Sequence, residues 1–486
     1  MNAVAKVLRW PAGASPVEAR TALWSADTIA AATGGQASGA FEVSGMEIDS
    51  RDVRPGELFV ALKGDSTDGH AFLAKAFANG AAAALVDRPV AWPHVLVADT
   101  GAALAALAAA ARARTHARIV GITGSVGKTG VKEAIFAALQ RHSGGRAHRS
   151  VRSYNNHVGV PLSLARMPAA SRYATFEMGM NHAGEIAALT GQVRPHVAVI
   201  TTIAPAHIEN LGSEEAIADA KAEIFGGLQK GGTAVIPADS PHHARLRAAA
   251  LAIGARVISF GASEQADMRL VDAIPAANGG SLVTAHFAGR HLCYSVAAPG
   301  EHWVANSLCV MAAVHAAGGD MAAAGLALAE MGGLKGRGAR LRVAVPGGHA
   351  LFIDESYNAN PASMRATLAQ LGQTPATRRV AVLGSMKELG AFAPGFHAQL
   401  AAPIAAAEVD YVVLVGDEMQ ALASELGKAA VRALGKPAGF AHCVNTGEAI
   451  AALEEWGLTA GDVVLVKGSN SVGLGRLVAH WAAREG

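Results

Sequence analysis

Short apolar segments alternate along the chain with helical stretches, and the alternation falls into three blocks. The first block, residues 1–116, contains strand-like segments at 58–62 and 84–86, each bounded by Gly, Pro or Asp. Brief apolar strands bounded by turn residues, with helical stretches between them, predict a small α/β module.

The second block, residues 117–340, carries almost continuously apolar segments, which are typical of strands buried on both faces. They lie at 118–122, 173–178, 197–203, 233–236 and 257–260. Because such strands alternate here with helices, we predict a mainly parallel sheet covered on both faces. Ligands of such sheets bind beyond the carboxyl ends of the strands, so we expect the chemistry at that edge.

The third block, residues 341–486, repeats the pattern without a glycine-rich loop of its own. Its apolar segments lie at 350–353, 380–383, 411–415 and 463–466. We predict a second parallel α/β domain that closes on the second block and brings another substrate. The fold class is therefore α/β, and the length of 486 residues suits three domains.

Composition narrows the class of partner. The 41 basic and 39 acidic residues give a net charge of +2, which offers no global reason to expect nucleic acid or a membrane surface. The three cysteines lie far apart, which argues against a disulfide framework or a structural zinc site. The alanine-rich stretch 102–111 is too short to span a bilayer, and the N-terminus lacks a signal-peptide pattern. We predict a cytoplasmic monomer with small-molecule partners.

A glycine-rich segment joins the first strand of the second block to a helix-compatible stretch. It comprises Gly124, Ser125, Val126, Gly127, Lys128 and Thr129. Such a segment lets backbone N–H groups surround a phosphate, with Lys128 reaching the β- and γ-phosphates and Thr129 ligating Mg²⁺. The usual pattern has glycine where this chain has Ile122. We predict a phosphate-binding loop that takes ATP.

Two candidate residues follow strands of the second block, and a third lies on a helix. Glu177 ends the second strand, where a carboxylate suits Mg²⁺, and the alternative is a solvated acid at the end of a strand. His207 follows the third strand, where a lone loop histidine is more often a surface residue. Lys221 lies in a helical stretch, and its position alone favours a solvated lysine on the helix surface.

Further polar candidates flank the boundary between the second and third blocks. Asn306 opens an apolar helix, where its amide can pair with adenine or cap the helix. Arg337 lies in the linker and can bring charge to a transferring phosphate. Residues 354–361 combine many hydrogen-bonding side chains between a strand and a proline-started helix, which indicates a binding loop.

Taken in order, segments along nearly the whole chain from about residue 23 onward resemble the Mur ligases, the cytoplasmic ATP-dependent amide ligases of cell-wall precursor synthesis. They are 49–51, 55–62, 68–70, 123–129, 155–161, 177–185, 206–207, 220–223, 354–361, 384–390 and 466–469. Each segment alone is weak, whereas the ordered set is specific. The set is most similar to family members that join D-alanyl-D-alanine to UDP-N-acetylmuramoyl-tripeptide.

The resemblance implies roles for residues that the pattern alone left open. Lys128, Glu177, His207 and Lys221 match catalytic positions, with Lys221 carbamylated. Thr129, Glu177, His207 and Lys221 match positions that hold up to two Mg²⁺ ions. Nucleotide-contacting positions match Asn306, Arg337, Asp354, Tyr357, Asn358 and Asn360. Substrate positions match Ser50 and Arg51 for the UDP end, and Asn155 and Asn156 for the muramoyl-peptide.

The resemblance also implies an architecture and a reaction. The architecture is a UDP-binding module, a central ATPase domain with the phosphate loop, and a C-terminal Rossmann-like domain. The reaction activates the tripeptide carboxylate as an acyl phosphate, which the amine of D-alanyl-D-alanine attacks.

Three alternatives remain at this point. The first is a ligase of the same superfamily that adds diaminopimelate or lysine, although the diaminopimelate-adding relatives usually carry Asp-Asn-Pro-Arg where this chain has residues 358–362. A folate polyglutamylating ligase leaves the UDP-type module unexplained. A regulatory protein that hydrolyses ATP without ligation is the alternative from another functional class.

Overall fold

The protein, seen in a computed structural model, is described over residues 22–64, 67–276, 279–432 and 439–484. It divides into two compact units. Unit 1 comprises Met1–Arg114 and Leu164–Ala169, and unit 2 comprises Thr115–Ser163 and Ala170–Gly486. The first 21 residues of the predicted first domain lie outside the described residues.

Unit 1 is built on a small sheet with strand order β2-β7-β6-β5-β4, in which β4 to β7 run parallel. The strands of unit 1 are β1 (Trp24–Ser25), β2 (Gln36–Ala37), β3 (Glu42–Val43), β4 (Gly45–Glu47), β5 (Glu57–Val60), β6 (Ala83–Val86) and β7 (His94–Leu96). Strands β1 and β3 pair separately as a two-stranded antiparallel sheet. Its helices are α1 (Ala26–Thr33), α2 (Leu73–Ala78) and α3 (Thr100–Ala113). Both predicted strands and the predicted alanine-rich helix are present.

The first sheet of unit 2 has nine strands in the order β16-β15-β14-β13-β12-β11-β8-β10-β9. These are β8 (Arg118–Thr123), β9 (Ala147–Arg149), β10 (Tyr173–Glu177), β11 (Val197–Ile200), β12 (Thr233–Pro237), β13 (Arg256–Gly261), β14 (Met268–Pro275), β15 (Ser281–Phe287) and β16 (Arg290–Val296). The helices are α4 (Lys128–His142), α5 (Gly159–Ala165), α6 (Glu185–Val193), α7 (Ile208–Leu211), α8 (Glu214–Ala222), α9 (His243–Ala252), α10 (Glu301–Ala316) and α11 (Met321–Glu330).

All five predicted strands of the second block form, and they run parallel. The register aligns Glu177 with Ile122, and Ile200 with Thr123, so the ends of β10 and β11 lie beside the start of the glycine-rich loop. The sheet then continues as an antiparallel meander of β14, β15 and β16, which the sequence reading missed. Strands β15 and β16 mix buried residues with more exposed ones and lack the continuous apolar run of a central strand.

The second sheet of unit 2 has the order β17-β18-β22-β19-β20-β21, and all neighbours except β17 and β18 run parallel. Its strands are β17 (Ala339–Val345), β18 (Gly348–Glu355), β19 (Arg379–Gly384), β20 (Tyr411–Val415), β21 (Gly439–Cys443) and β22 (Val463–Lys467). The helices are α12 (Pro361–Gln373), α13 (Ala393–Ala398), α14 (Ala401–Ala406), α15 (Gln420–Arg432), α16 (Thr446–Trp456) and α17 (Gly475–Ala482). The four predicted strands of the third block are confirmed.

Separate apolar cores hold the two sheets of unit 2. Helix α10 is buried along most of its length against the first sheet, which fixes the position of its first turns near the glycine-rich loop. In the described part of the chain, no helix combines the length and apolar character that a bilayer crossing requires.

Candidate functional site

The glycine-rich loop joins β8 to α4, and its backbone requires glycine at two positions. Gly127 has a φ of +86°, and a Cβ there would lie 2.9 Å from Asn306 Oδ1. A Cβ on Gly124 would lie 2.0 Å from Thr201 Oγ1. Only glycine allows this close approach, so the loop and the Asn306 amide lie against each other.

Lys128 is the first residue of α4, and its ammonium donates to the Gly124 carbonyl at 2.6 Å. Burial lowers the pKa of this lysine, and the carboxylate of Glu177 opposes that shift. The next two hydrogen-bonded loop residues contact the segment that follows β11. Ser125 donates its N–H to Thr202 O and its hydroxyl to Ala204 O, and the Val126 carbonyl accepts from Thr201 Oγ1.

Glu177 is buried at the end of β10 and is fixed from two sides. Oε2 accepts from Thr129 Oγ1 at 2.8 Å, and Oε1 accepts from Asn155 Nδ2 at 2.8 Å. Its backbone N–H donates to Ser150 Oγ. The structure therefore brings together the predicted Glu177, Thr129 and Asn155, and these oxygen donors are of the kind that Mg²⁺ prefers.

His207 lies just before α7 in a left-handed conformation, with a φ of +62°. Its Nδ1 is 2.5 Å from Oε2 of Glu388, a residue from the loop after β19. This contact lowers the pKa of the Glu388 carboxyl. Glu388 lies in the family-like segment 384–390 but had no predicted role, because two residues 181 positions apart in the chain show no local sign of pairing.

Lys221 is buried near the end of α8. Burial, with the nearby positive charge of Lys128, holds its pKa well below the usual range. Among the described residues, its ammonium forms no hydrogen bond or ion pair with any acidic group. A buried lysine with a lowered pKa carries a reactive neutral amine more readily than an exposed one.

A cavity of about 580 Å³ opens between the ends of the two sheets of unit 2. Of the predicted residues, its lining includes Ser125, Val126, Gly127, Lys128, Asn155, Asn156, Glu177, His207, Asn306, Arg337, Tyr357, Asn358 and Asn360. Gly124, Thr129, Lys221 and Asp354 lie outside the lining. Thr129 hydrogen-bonds to Glu177, which lines the cavity.

Arg337 connects the two sides of this cavity. Its guanidinium carbon lies 4.1 Å from the centroid of the Tyr357 ring, a stacked cation–π arrangement. Its Nη2 donates to Ser153 Oγ at 3.3 Å. The linker arginine therefore sits between the binding loop of the second sheet and the segment that precedes Asn155.

The two acids at the end of β18 have different surroundings. The Asp354 carboxylate accepts from the backbone N–H of Gly336 at 2.9 Å and from the Ser356 hydroxyl at 2.6 Å, which anchors the linker. Glu355 lines the cavity instead, where Lys467 Nζ lies 3.4 Å from its Oε2. Sequence reasoning gave roles to Asp354 but none to Glu355 or Lys467.

His302 is a further cavity residue without a predicted role. Burial, with the positive charge of Lys467, lowers its pKa to about 4. The imidazole is therefore neutral at physiological pH and adds a hydrogen-bonding group without adding charge.

Asn155 and Asn156 line the cavity and also hydrogen-bond to other residues of the protein. Asn155 orients Glu177, and Asn156 Oδ1 accepts from the backbone N–H of Gly159 at 2.9 Å at the start of α5. In unit 1, the backbone carbonyl of Ser50 accepts from Asn79 Nδ2. The Arg51 side chain is largely exposed and pairs with Asp49 at 2.6 Å.

Asn360 begins α12 with a capping box, because its Oδ1 accepts from Ser363 N–H and Ser363 Oγ accepts from its N–H. We predict that Asn360→Ala lowers the free energy of unfolding by about 1 kcal/mol. Asn360→Ser keeps a capping oxygen and is the matched control in urea unfolding. If Asn360→Ala and Asn360→Ser unfold alike, the side chain does not act as a cap.

Comparison with known proteins gives matches along most of the chain. Family models match as "Mur ligase family, catalytic domain" over residues 42–121, "Mur ligase middle domain" over 122–314 and "Mur ligase, glutamate ligase domain" over 339–470. The chain is 36% identical over 382 residues to UDP-N-acetylmuramoyl-tripeptide--D-alanyl-D-alanine ligase of Escherichia coli, covering 78% of this chain and 82% of that one.

Solved structures also match most of the chain. MurF from Acinetobacter baumannii superposes with a TM-score of 0.79 at 30% identity, covering 95% of this chain and 99% of its own. MurF ligase from Thermotoga maritima, solved in complex with ADP, superposes with a TM-score of 0.72 at 25% identity, covering 90% and 97%.

Proposed function

Because the chain belongs to the Mur ligase family, we propose that the cavity of unit 2 is where its ligase reaction takes place. The protein is an ATP-dependent amide ligase that adds D-alanyl-D-alanine to UDP-N-acetylmuramoyl-tripeptide in peptidoglycan precursor synthesis. The observation that carries the site assignment is the convergence of Lys128, Glu177 and Arg337 on one cavity.

The first step makes the tripeptide reactive, since a carboxylate is a poor electrophile. A carboxylate oxygen attacks the γ-phosphorus of ATP, the bond to the β-phosphate oxygen breaks, and ADP leaves. Lys128 and Arg337 place positive charge where the anionic carboxylate and phosphate meet. Fixed charge in a buried site stabilises such a transfer without reorganisation of solvent.

The second step forms the amide. The deprotonated amine of D-alanyl-D-alanine attacks the acyl carbon, and the tetrahedral intermediate collapses with loss of phosphate. Orientation is the protein's main contribution here, and it supplies about 7–11 kcal/mol in well-ordered reactions. The cavity walls come from both sheets of unit 2, which supports closure of the second sheet over the nucleotide before chemistry.

Mg²⁺ fits the donors around Glu177. The Glu177 carboxylate and the Thr129 hydroxyl are hard oxygen ligands held 2.8 Å apart, and both would hold a first ion. Bound Mg²⁺ would neutralise charge on the phosphates. No group of three or more His, Cys, Asp or Glu in the described ranges holds a metal by itself, and Mg²⁺ commonly takes other ligands from phosphate and water.

A carbamate on Lys221 would complete a second Mg²⁺ position together with His207. The buried amine has a lowered pKa and no acidic partner within the described ranges, so it is suited to add CO₂ in its neutral form. The addition releases one proton and leaves an anionic carbamate that attracts Lys128, whereas a protonated Lys221 repels it. The contact of His207 Nδ1 with Glu388 leaves Nε2 as the ring nitrogen for metal, as is common for metal-bound histidines.

The remaining assignments extend the same proposal. Unit 1 holds the UDP end, with Ser50 and Arg51 at that site, and the domains follow the predicted boundaries 1–116, 117–340 and 341–486. Asn306, Tyr357 and Asn358 contact the nucleotide. The enzyme acts as a monomer in the cytoplasm, where ATP and reduced cysteines occur together.

Glu177→Gln tests the metal assignment. Loss of a residue that hydrogen-bonds a metal ligand typically lowers activity about 10–100-fold. Because Glu177 is proposed as a ligand itself, we expect kcat to fall by at least that factor. We also expect the Mg²⁺ concentration at half-maximal rate to rise. The exposed Glu264→Gln is the matched control, with rates measured across a Mg²⁺ titration. An unchanged Mg²⁺ requirement in Glu177→Gln would contradict the assignment.

Phosphate release from ATP tests the function as a whole. The tripeptide nucleotide and D-alanyl-D-alanine are supplied singly and together, with mass analysis of the product. Release that requires both, with formation of the pentapeptide nucleotide, supports the ligase. Release with a free amino acid favours a diaminopimelate- or lysine-adding enzyme, and release without any substrate favours a regulatory ATPase.

A further inference from the structure

Lys132 is a buried cation that the mechanism above does not use. It lies on α4 one turn beyond Lys128, so both side chains project from the same face of the helix. Its side chain is 0% exposed. A buried ammonium is costly unless it is paired and hydrogen-bonded, so its partners identify what it holds in place.

The partners of Lys132 come from three elements. Nζ lies 3.1 Å from Glu133 Oε1 and 3.8 Å from Glu177 Oε2. It also donates to the backbone carbonyls of Ser150, at 3.5 Å, and of Arg152. One ammonium therefore joins the phosphate-loop helix, the end of β10 and the segment 150–155.

Residues of that segment either contact Glu177 or line the cavity, where Ser153 and Asn155 belong to the lining. Ser150 Oγ accepts from the Glu177 N–H, and Asn155 donates to the Glu177 carboxylate. Ser153 Oγ lies 3.3 Å from Thr129 Oγ1 and accepts from Arg337. The position of this segment therefore determines the orientation of Glu177 and part of the environment of Arg337.

The backbone between these contacts adopts an unfavourable conformation. Arg152 has a φ of +50°, in the left-handed region that costs a non-glycine residue free energy. The bond from Lys132 to the Arg152 carbonyl holds this turn, which places Ser153 next to Thr129.

We propose that Lys132 is a positioning residue that locks segment 150–155 against the phosphate-loop helix and thereby sets the place of Glu177 in the nucleotide site. The inference rests on the proposed function, because it assigns Glu177 to Mg²⁺. Lys132 is fully buried and lies outside the cavity lining, so in this proposal it acts through Glu177 and Ser153.

Lys132→Met tests the proposal, since it keeps an unbranched side chain only one atom shorter and removes the charge. We expect Mg²⁺ to strengthen ADP binding about 10-fold less than in the parent protein, by calorimetric titration with and without Mg²⁺. We also expect kcat to fall about 10–100-fold with a raised Mg²⁺ requirement. A variant that only loses stability, with unchanged Mg²⁺ dependence of ADP binding, overturns the proposal.

Two controls keep the test decisive. Leu453→Ala destabilises the core of the second sheet and should leave the Mg²⁺ dependence of ADP binding unchanged. Should Lys132→Met not fold, Ser153→Ala removes the contacts by which the same segment meets Thr129 and Arg337, without leaving a buried gap at the helix. Ser153→Ala must then reduce the Mg²⁺ dependence of ADP binding, and an unchanged dependence overturns the proposal.

Absence of two-substrate turnover in the parent protein would instead contradict the proposed function.

Discussion

Lys128→Ala should reduce kcat about 10³-fold, the cost of removing a charge-stabilising group from a buried site. The ammonium lines the cavity and is held on the Gly124 carbonyl at the start of α4. Without it, the carboxylate and the γ-phosphate meet with one positive charge fewer, and the repulsion between them adds to the barrier. Phosphate release with both substrates present measures the loss.

The exposed Lys230→Ala is the control for a change in overall charge. Thermal unfolding of Lys128→Ala should show a folded protein, because the hydrogen bond that the parent ammonium makes within the described part of the chain goes to a carbonyl of its own loop. Near-normal turnover in a folded Lys128→Ala would remove the phosphate loop from the mechanism.

Lys221→Ala should lose most activity and regain part of it when acetate or formate is added. The substitution removes both the amine and the proposed carbamate and leaves a space in a buried position. A short carboxylate can enter that space and supply the missing oxygens. Initial rates across a carboxylate titration measure the rescue.

Lys221→Met is the matched variant, because its side chain fills the space and should prevent rescue. Lys230→Ala with the same salts controls for ionic strength. Equal stimulation of all variants by carboxylate, or full activity of Lys221→Ala, would show that this lysine carries no carbamate with a catalytic role.

The phosphate loop and the parallel strands could be predicted because their signals are local. The continuous apolar runs at β8, β10 and β11 and the glycines at 124 and 127 each follow from a few consecutive residues. The same locality explains why the antiparallel β15 and β16 were missed, since their half-exposed alternation is weaker than a buried run.

The contacts that complete the cavity depend on tertiary structure. Successive residues of a strand point to opposite faces, and the sequence does not say which of Asp354 and Glu355 faces the cavity. The chain fold decides that Asp354 anchors the linker and Glu355 meets Lys467. The contact of His207 with Glu388 and the contact of Lys132 with Glu177 likewise join residues that are distant in the sequence.

The most direct test of the central claim follows the oxygen atoms of the reaction. UDP-N-acetylmuramoyl-tripeptide is labelled with heavy oxygen in its terminal carboxylate and converted with ATP and D-alanyl-D-alanine. An acyl-phosphate ligase transfers one labelled oxygen to the released phosphate and keeps the other in the new amide. Unlabelled phosphate alongside the pentapeptide product would contradict the mechanism, and unlabelled phosphate without that product would contradict the ligase function itself.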